Sequence, residues 1–193
     1  SLIKYQTQKI NVDSISEENL WENENINNDN FKRLNNFYWF FTLDLKSSRK
    51  KTQKIVSDWI TKNHKYNSRS WEFDLTSKRI IAWLSNHSLT LEQADKDYLE
   101  IFNGMIQKQT NHLIGEINNS KNTNDKIIGC AAIILVGLCY KDEKKYLSYG
   151  LNLLKKISNT EFDNYGFTKS RSIKQLIFYL KYFILIREWF KEA

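Results

Sequence analysis

The sequence predicts an all-α protein: an incomplete (α/α) toroid of antiparallel helix hairpins, about seven helices in all. Three observations carry that expectation. None of the 193 residues is proline, which suits helices joined by turns of Gly, Asn, Asp and Ser. Apolar residues recur at spacings of three, four and seven in one segment after another, with no convincing period-2 run. One segment is apolar on nearly every face, the mark of a helix enclosed by others. Successive hairpins around one inner helix suit a toroid or a helical solenoid. No sequence repeats at a fixed period, which argues against a regular solenoid.

Residues 1–30 are polar, rich in Asn and Glu, with the few apolar anchors Ile3, Tyr5, Ile10 and Trp21, and read as an extended lead-in. The helical domain is expected over 31–193. Its first segment, 31–45, places Phe37, Phe40, Phe41 and Leu45 together, and 48–62 places Ile55, Val56 and Trp59 together behind a basic first turn. A polar turn with Thr76 or Ser77 leads into 77–86. The segment 91–118 carries Tyr98, Leu99, Phe102, Ile106, Leu113 and Ile117. The near-apolar helix is 124–140. Then 142–157 carries Tyr146, Leu147, Leu151 and Leu154, and 170–191 carries Leu176, Leu180, Phe183, Ile184 and Ile186. The connections are short, as antiparallel helical neighbours prefer.

The net charge of +7 points to an anionic partner. Part of the lysine also follows from a composition rich in Lys, Asn and Ile, residues with AT-rich codons. No nucleic-acid motif accompanies the basic run Arg49, Lys50, Lys51, so nucleic acid is not the expected partner. His64, His87 and His112 lie far apart and show no metal-ligand spacing, so no metal or cofactor is expected. Cys130 and Cys139 fall about 13 Å apart along one helix, too far for a mutual disulfide, and read as core residues. The longest apolar run, 127–140, is too short to cross a bilayer. The chain begins with Ser1 and ends inside a helical pattern, which reads as a fragment and leaves its compartment open.

The most informative stretch opens with Trp71 and Glu72, passes the polar turn, and continues into a helix with Arg79 in its first turn and Trp83 four residues on. Residues four apart share a helix face. A cation beside a broad aromatic surface can hold an acidic sugar ring; the plainer reading is an arginine above a core tryptophan.

This pattern resembles the Trp-Glu…Ser-x-Arg-Ile-x-x-Trp signature in the toroid domain of heparinase II/III-type polysaccharide lyases, carried here by Trp71, Glu72, Ser77, Arg79, Ile80 and Trp83. Four further pieces agree in order. They are the aromatic run 36–40, the Asp58-Trp59-Ile60 helix, the buried stretch 131–138, and Gly166 to Arg171 followed by a long apolar helix. The likeness runs from about residue 31 to the end. It implies a toroid followed by a β-sandwich that this chain does not contain, and β-elimination on uronate-containing anionic polysaccharide. It also implies an asparagine that neutralises the uronate carboxylate. Family members are periplasmic or secreted, which the resemblance would carry over.

Aligning 131–138 places the family's Asn-His pair at Asn124 and Asp125, so the asparagine is kept and the histidine is not. A competing register uses Asn111 and His112 but needs about a dozen extra residues before the apolar helix; Asn124 is preferred. Where many members carry Glu-Arg-Ser-Pro-x-Tyr, this chain reads Thr168, Lys169, Ser170, Arg171, Ser172, Ile173, without the tyrosine. The expected site is therefore Asn124 as the catalytic residue, with Trp71, Arg79, Trp83 and Arg171 binding substrate. The alternative is a non-catalytic domain that grips an acidic glycan, since the tyrosine and histidine are replaced.

Overall fold

The computed structural model describes residues 11–15, 20–21, 27–140 and 144–193. Among them the fold is all-helical, with eight α-helices, two short 3-10 turns and a single isolated bridge pair. The chain divides into two compact units, Ser1–Gln109 and Thr110–Ala193.

In the first unit, α1 (Asn28–Asn35) starts where the Asn27 side chain accepts the Asn30 amide at 2.9 Å. The single helix expected over 31–45 is broken. Asn36 ends α1, Phe37 turns left-handed with φ 57°, and a 3-10 turn covers Tyr38–Thr42. A left-handed phenylalanine costs about 1–2 kcal/mol. It also places the Phe37 ring, fully buried, edge-on to Trp59 at 6.1 Å and Trp83 at 5.2 Å. Aromatic pairs of this geometry contribute about 0.5–1.5 kcal/mol each beyond area burial, which offsets the strain.

The lead-in is partly tied to this unit. Val12 is buried, and its amide donates to Ser47 Oγ at 3.1 Å; Trp21 stacks on Phe37 at 5.3 Å. Ile3, Tyr5 and Ile10 lie outside the described residues. Helix α2 (Arg49–Asn63), capped by Ser48, buries Ile55, Val56, Trp59 and Ile60, the face its spacing predicts.

Helix α3 (Phe73–Ser85) begins four residues before its expected start. Thr76 and Ser77 therefore sit inside the helix and not in a preceding turn; both are buried, and Ser77 Oγ donates back to the Phe73 carbonyl at 2.8 Å. After α4 (His87–Thr90), a turn with Gln93 at φ 58° delays α5 (Lys96–Glu116) beyond its expected start.

In the second unit, α6 (Thr123–Cys139) buries every residue from Ile127 to Gly137. Its cap is Asn122, whose side chain accepts the Asn124 amide at 3.0 Å, so Asn124 is the second helical residue and not the cap. Helix α7 (Lys144–Glu161) packs closely on α6. A Cβ on Gly137 would stand 2.4 Å from the Leu147 nitrogen, and one on Gly150 would stand 2.6 Å from Ile134. Cys130 is buried there and donates to the Gly150 carbonyl at 3.3 Å, whereas Cys139 is exposed, contrary to the core position expected for it.

A tight hairpin bridging Phe162 and Thr168 leads to α8 (Ile173–Glu192). Asp163 Oδ1 accepts the Tyr165 and Phe167 amides, and Gly166 supplies φ 81°. Helix α8 buries Tyr179, Tyr182 and Ile186 and leaves Ile173, Ile177, Leu180 and Ile184 exposed along one stripe. No helix of the described residues is long and apolar enough to cross a membrane.

Candidate functional site

The signature arginine lies at the centre of the first unit and not on its surface. Arg79 is completely buried. Its Nε donates to Gln109 Oε1 at 2.9 Å. Nη1 donates to the carbonyls of Asn35 at 2.8 Å and Ser70 at 3.1 Å, and Nη2 to Thr76 Oγ1 at 3.2 Å. The guanidinium lies over the Trp59 ring, 3.9 Å from its centroid. Burial pulls its pKa well below the ordinary arginine value. The four hydrogen bonds and the aromatic face stabilise the charged form in return. One cation thus fastens the end of α1, the turn before α3, and α5.

Both flanking tryptophans are buried as well. Trp71 is 5% exposed and donates Nε1–H to the Asn63 carbonyl at 3.0 Å. Trp83 packs edge-on to Trp59 at 5.5 Å and lies 5.5 Å from Phe102. The spacing argument holds, since Arg79 and Trp83 do share a face, but the face points inward. In place of the groove-lining side chains expected, Trp71, Arg79 and Trp83 form a scaffold. Burial removes their surfaces from any ligand in this conformation.

Directly above that scaffold the surface opens into a cleft of about 230 Å³. Its lining includes Trp21, Phe31, Lys62, Asn67, Arg69 and Ser70, and no acidic residue among those described. The Arg69 guanidinium lies flat over the Phe31 ring at 3.8 Å. Asn67 Oδ1 accepts the backbone amides of Arg69 and Ser70, which fixes the turn. Ser70 is 3% exposed, and its Oγ has no hydrogen-bond partner among the described residues. Sequence reasoning missed this cleft. Its one early sign was Trp21, an aromatic anchor in an otherwise polar stretch.

In the second unit, Asn124 is half-buried in the first turn of α6, and its Oδ1 is shielded from solvent with no hydrogen-bond partner among the described residues. In the competing register, Asn111 Oδ1 instead accepts the Tyr146 hydroxyl at 3.0 Å. Arg171 is exposed at φ 56°, and its Nη1 lies 2.6 Å from Asp163 Oδ2, so its charge already faces a carboxylate.

Next to Asn124 in sequence, Thr123 hydrogen-bonds the Tyr179 hydroxyl. That hydroxyl also accepts from Gln175 Nε2 at 2.6 Å and donates to Glu161 Oε2 at 3.4 Å. Tyr179 is fully buried; desolvation first, and then the Glu161 charge, raises its pKa. It keeps its proton at neutral pH and meets no solvent. It is no exposed substitute for the tyrosine absent at Ile173. No cluster of His, Cys, Asp and Glu suited to a metal ion occurs among the described residues.

Compared with known proteins, the chain matches no family model, no curated protein and no solved structure.

Proposed function

We propose that this chain is the toroid-forming helical part of a heparinase II/III-like polysaccharide lyase that takes a uronate-containing anionic polysaccharide and cleaves it by β-elimination. The observation that carries this reading is Asn124, a carboxamide with an unspent, shielded oxygen in the first turn of the apolar helix. Helix N-termini favour anions. There the Asn124 side-chain amide donates to the uronate carboxylate. Drawing off the carboxylate charge makes the C5 proton easier to remove, which is where elimination begins. Arg171 meets a second acidic group by exchanging its Asp163 partner. Closure of the helices into a ring, and a β-sandwich from the rest of the protein, belong to the same proposal.

A second reading, acidic-glycan binding without turnover, draws support from two positions. Asp125 stands where the family resemblance calls for a histidine, and its charge opposes a nearby carboxylate. Tyr179 is buried and engaged. One experiment separates the readings. The protein expressed from its complete reading frame is mixed with alginate, polygalacturonate, hyaluronan and heparin, following the ultraviolet absorbance of unsaturated uronate. The lyase reading expects absorbance to grow on at least one polymer and to vanish in Asn124→Ala. Binding without absorbance moves the conclusion to the second reading. Neither binding nor absorbance refutes both.

A further inference from the structure

We infer that the exposed face of α8 docks on an anionic lipid membrane, with the helix lying in the plane of the headgroups. The inference rests on the second unit alone and is independent of Asn124 and of elimination.

A helix that is apolar on every side is ordinarily enclosed on every side. Helix α8 is enclosed on one side only. Tyr179, Tyr182 and Ile186 are buried, and the helix packs on α6. On the opposite side Ile173, Ile177, Leu180 and Ile184 succeed one another at three- and four-residue spacings, which keeps them in one row. They are 74%, 60%, 43% and 51% exposed. Leu176, Phe183 and Phe190 run beside that row and widen it; Phe190 is exposed and the other two are half-buried. Proteins keep contiguous apolar surface of this kind for a partner or a membrane.

The charge around the row selects the occupant. Lys174 and Lys181 each follow a member of the row, Ile173 and Leu180, and so line the edge away from Phe183 and Phe190. Arg187 and Lys191 continue the row toward its C-terminal end, with Glu188 held between them at 3.4 and 2.9 Å. From residue 164 to 193 there are six basic residues and two acids, so the rim is positive. In the hairpin just before the helix, Tyr165 and Phe167 stand exposed, and tyrosine is a residue that favours headgroup level. Lysine stems lie along an apolar strip while their ammonium groups reach outward. An apolar strip edged in this way is the arrangement of a helix resting in an anionic interface. No described helix is long and apolar enough to cross the bilayer, so the contact is with its surface.

Other occupants fit less well. Antiparallel pairing of two copies brings one lysine rim against the other, and like charges oppose association. Parallel pairing sets the lysines against the Leu176 and Phe183 flank. A single partner helix needs only a narrow seam, whereas the apolar surface here extends from Ile177 round to Phe190.

The test uses the whole chain and two kinds of vesicle, phosphatidylcholine alone and phosphatidylcholine mixed with phosphatidylglycerol. Binding is read by co-sedimentation. The chain is expected to sediment with the mixed vesicles, less so as salt rises, and to stay in solution with phosphatidylcholine alone. Lys174→Gln with Lys181→Gln is expected to weaken binding about fivefold per charge, about 25-fold together. Lys46→Gln with Lys50→Gln, the same loss of charge on the first unit, is expected to change it less than twofold, which separates a docking face from general attraction of a basic protein. Ile177→Ser with Ile184→Ser is expected to weaken binding tenfold or more while the melting temperature holds, because both side chains already meet water in the free chain.

Sedimentation with neither vesicle, or equally with both, would overturn the inference. So would undiminished binding in the isoleucine variant, or an equal loss in the two lysine variants. Self-association seen by light scattering and abolished by the isoleucine changes, without vesicle binding, would replace the membrane by a second copy. Loss of elimination in Asn124→Ala with vesicle binding intact would leave the docking face standing and bear on the proposed reaction alone.

Discussion

Replacing Arg79 by methionine removes the charge, keeps much of the side-chain volume, and leaves its acceptors behind. The Asn35 carbonyl, the Ser70 carbonyl and Gln109 Oε1 each take an Arg79 hydrogen bond at 2.8–3.1 Å inside the protein. An orphaned buried acceptor costs about 1–3 kcal/mol, so three set an upper bound of about 9 kcal/mol. The stack over Trp59 adds about 2 kcal/mol when desolvated. Against this stands the relief from burying a cation, several kcal/mol.

The balance predicts that Arg79→Met loses about 2–5 kcal/mol, the range seen when one partner of a buried charged network is removed. Arg79→Lys keeps the charge but lacks the planar fork that spans four acceptors, and is expected to lose less. Urea unfolding followed by tryptophan fluorescence reads both, provided the m-value is unchanged. A methionine variant within about 0.5 kcal/mol of the wild type, below the usual effect of breaking such a network, would refute the reasoning. So would a lysine variant more damaged than the methionine one.

Other positions give sharper local tests. Gly137→Ala is expected to destabilise the second unit by about 1–3 kcal/mol, because its Cβ meets the Leu147 backbone. Gly104→Ala, with open space around it, is expected to stabilise α5 by up to about 1 kcal/mol in the same melt. Gly166→Ala is expected to cost about 1–2 kcal/mol because a side chain at φ 81° is strained.

Desolvation pushes the Asp163 pKa up, but the Phe167 and Tyr165 amides and Arg171 outweigh it and hold the carboxyl below its ordinary value. Its contribution is therefore present above about pH 4, the unfolded value, and is lost as pH falls through the lower folded value. The protection of the Tyr165 and Phe167 amides against exchange, taken relative to the intrinsic rate at each pH, should fall only on that acid side. Burial pushes the Cys130 thiol up to about 12, so alkylation of the folded chain read by mass spectrometry should spare it and mark the exposed Cys139 first.

Local pattern carried much of this architecture. The buried run of α6 and the Ile55, Val56, Trp59 face of α2 follow from apolar spacing, and both stand where periodicity puts them. The break at Phe37 was not legible. The aromatic run around it fits one helix face, and nothing local favours a left-handed phenylalanine; burial against Trp59 and Trp83, from distant parts of the chain, decides it. Thr76 and Ser77 look like turn residues because their hydroxyls compete for backbone groups. Inside α3 the Ser77 hydroxyl is satisfied by the Phe73 carbonyl, so the helix extends through them.

Arg79 shows the same limit at the candidate site. Its spacing to Trp83 gave the right shared face but not its direction. Charged residues are almost never fully buried unless their groups are met. Of the four groups that meet this one, Thr76 is local, but the other three, at Asn35, Ser70 and Gln109, lie 44, 9 and 30 residues away. No local reading of the Trp71 to Trp83 stretch reveals them.

The most direct measurement of the account is a two-dimensional ¹H–¹⁵N NMR titration of the chain with a uronate oligosaccharide, following the indole and side-chain amide signals. The account predicts that the Asn124 carboxamide shifts on binding while the buried Trp59 and Trp83 indoles stay in place. Movement of Trp83 with Asn124 unmoved would contradict it, placing the signature tryptophan against the sugar and not inside the protein.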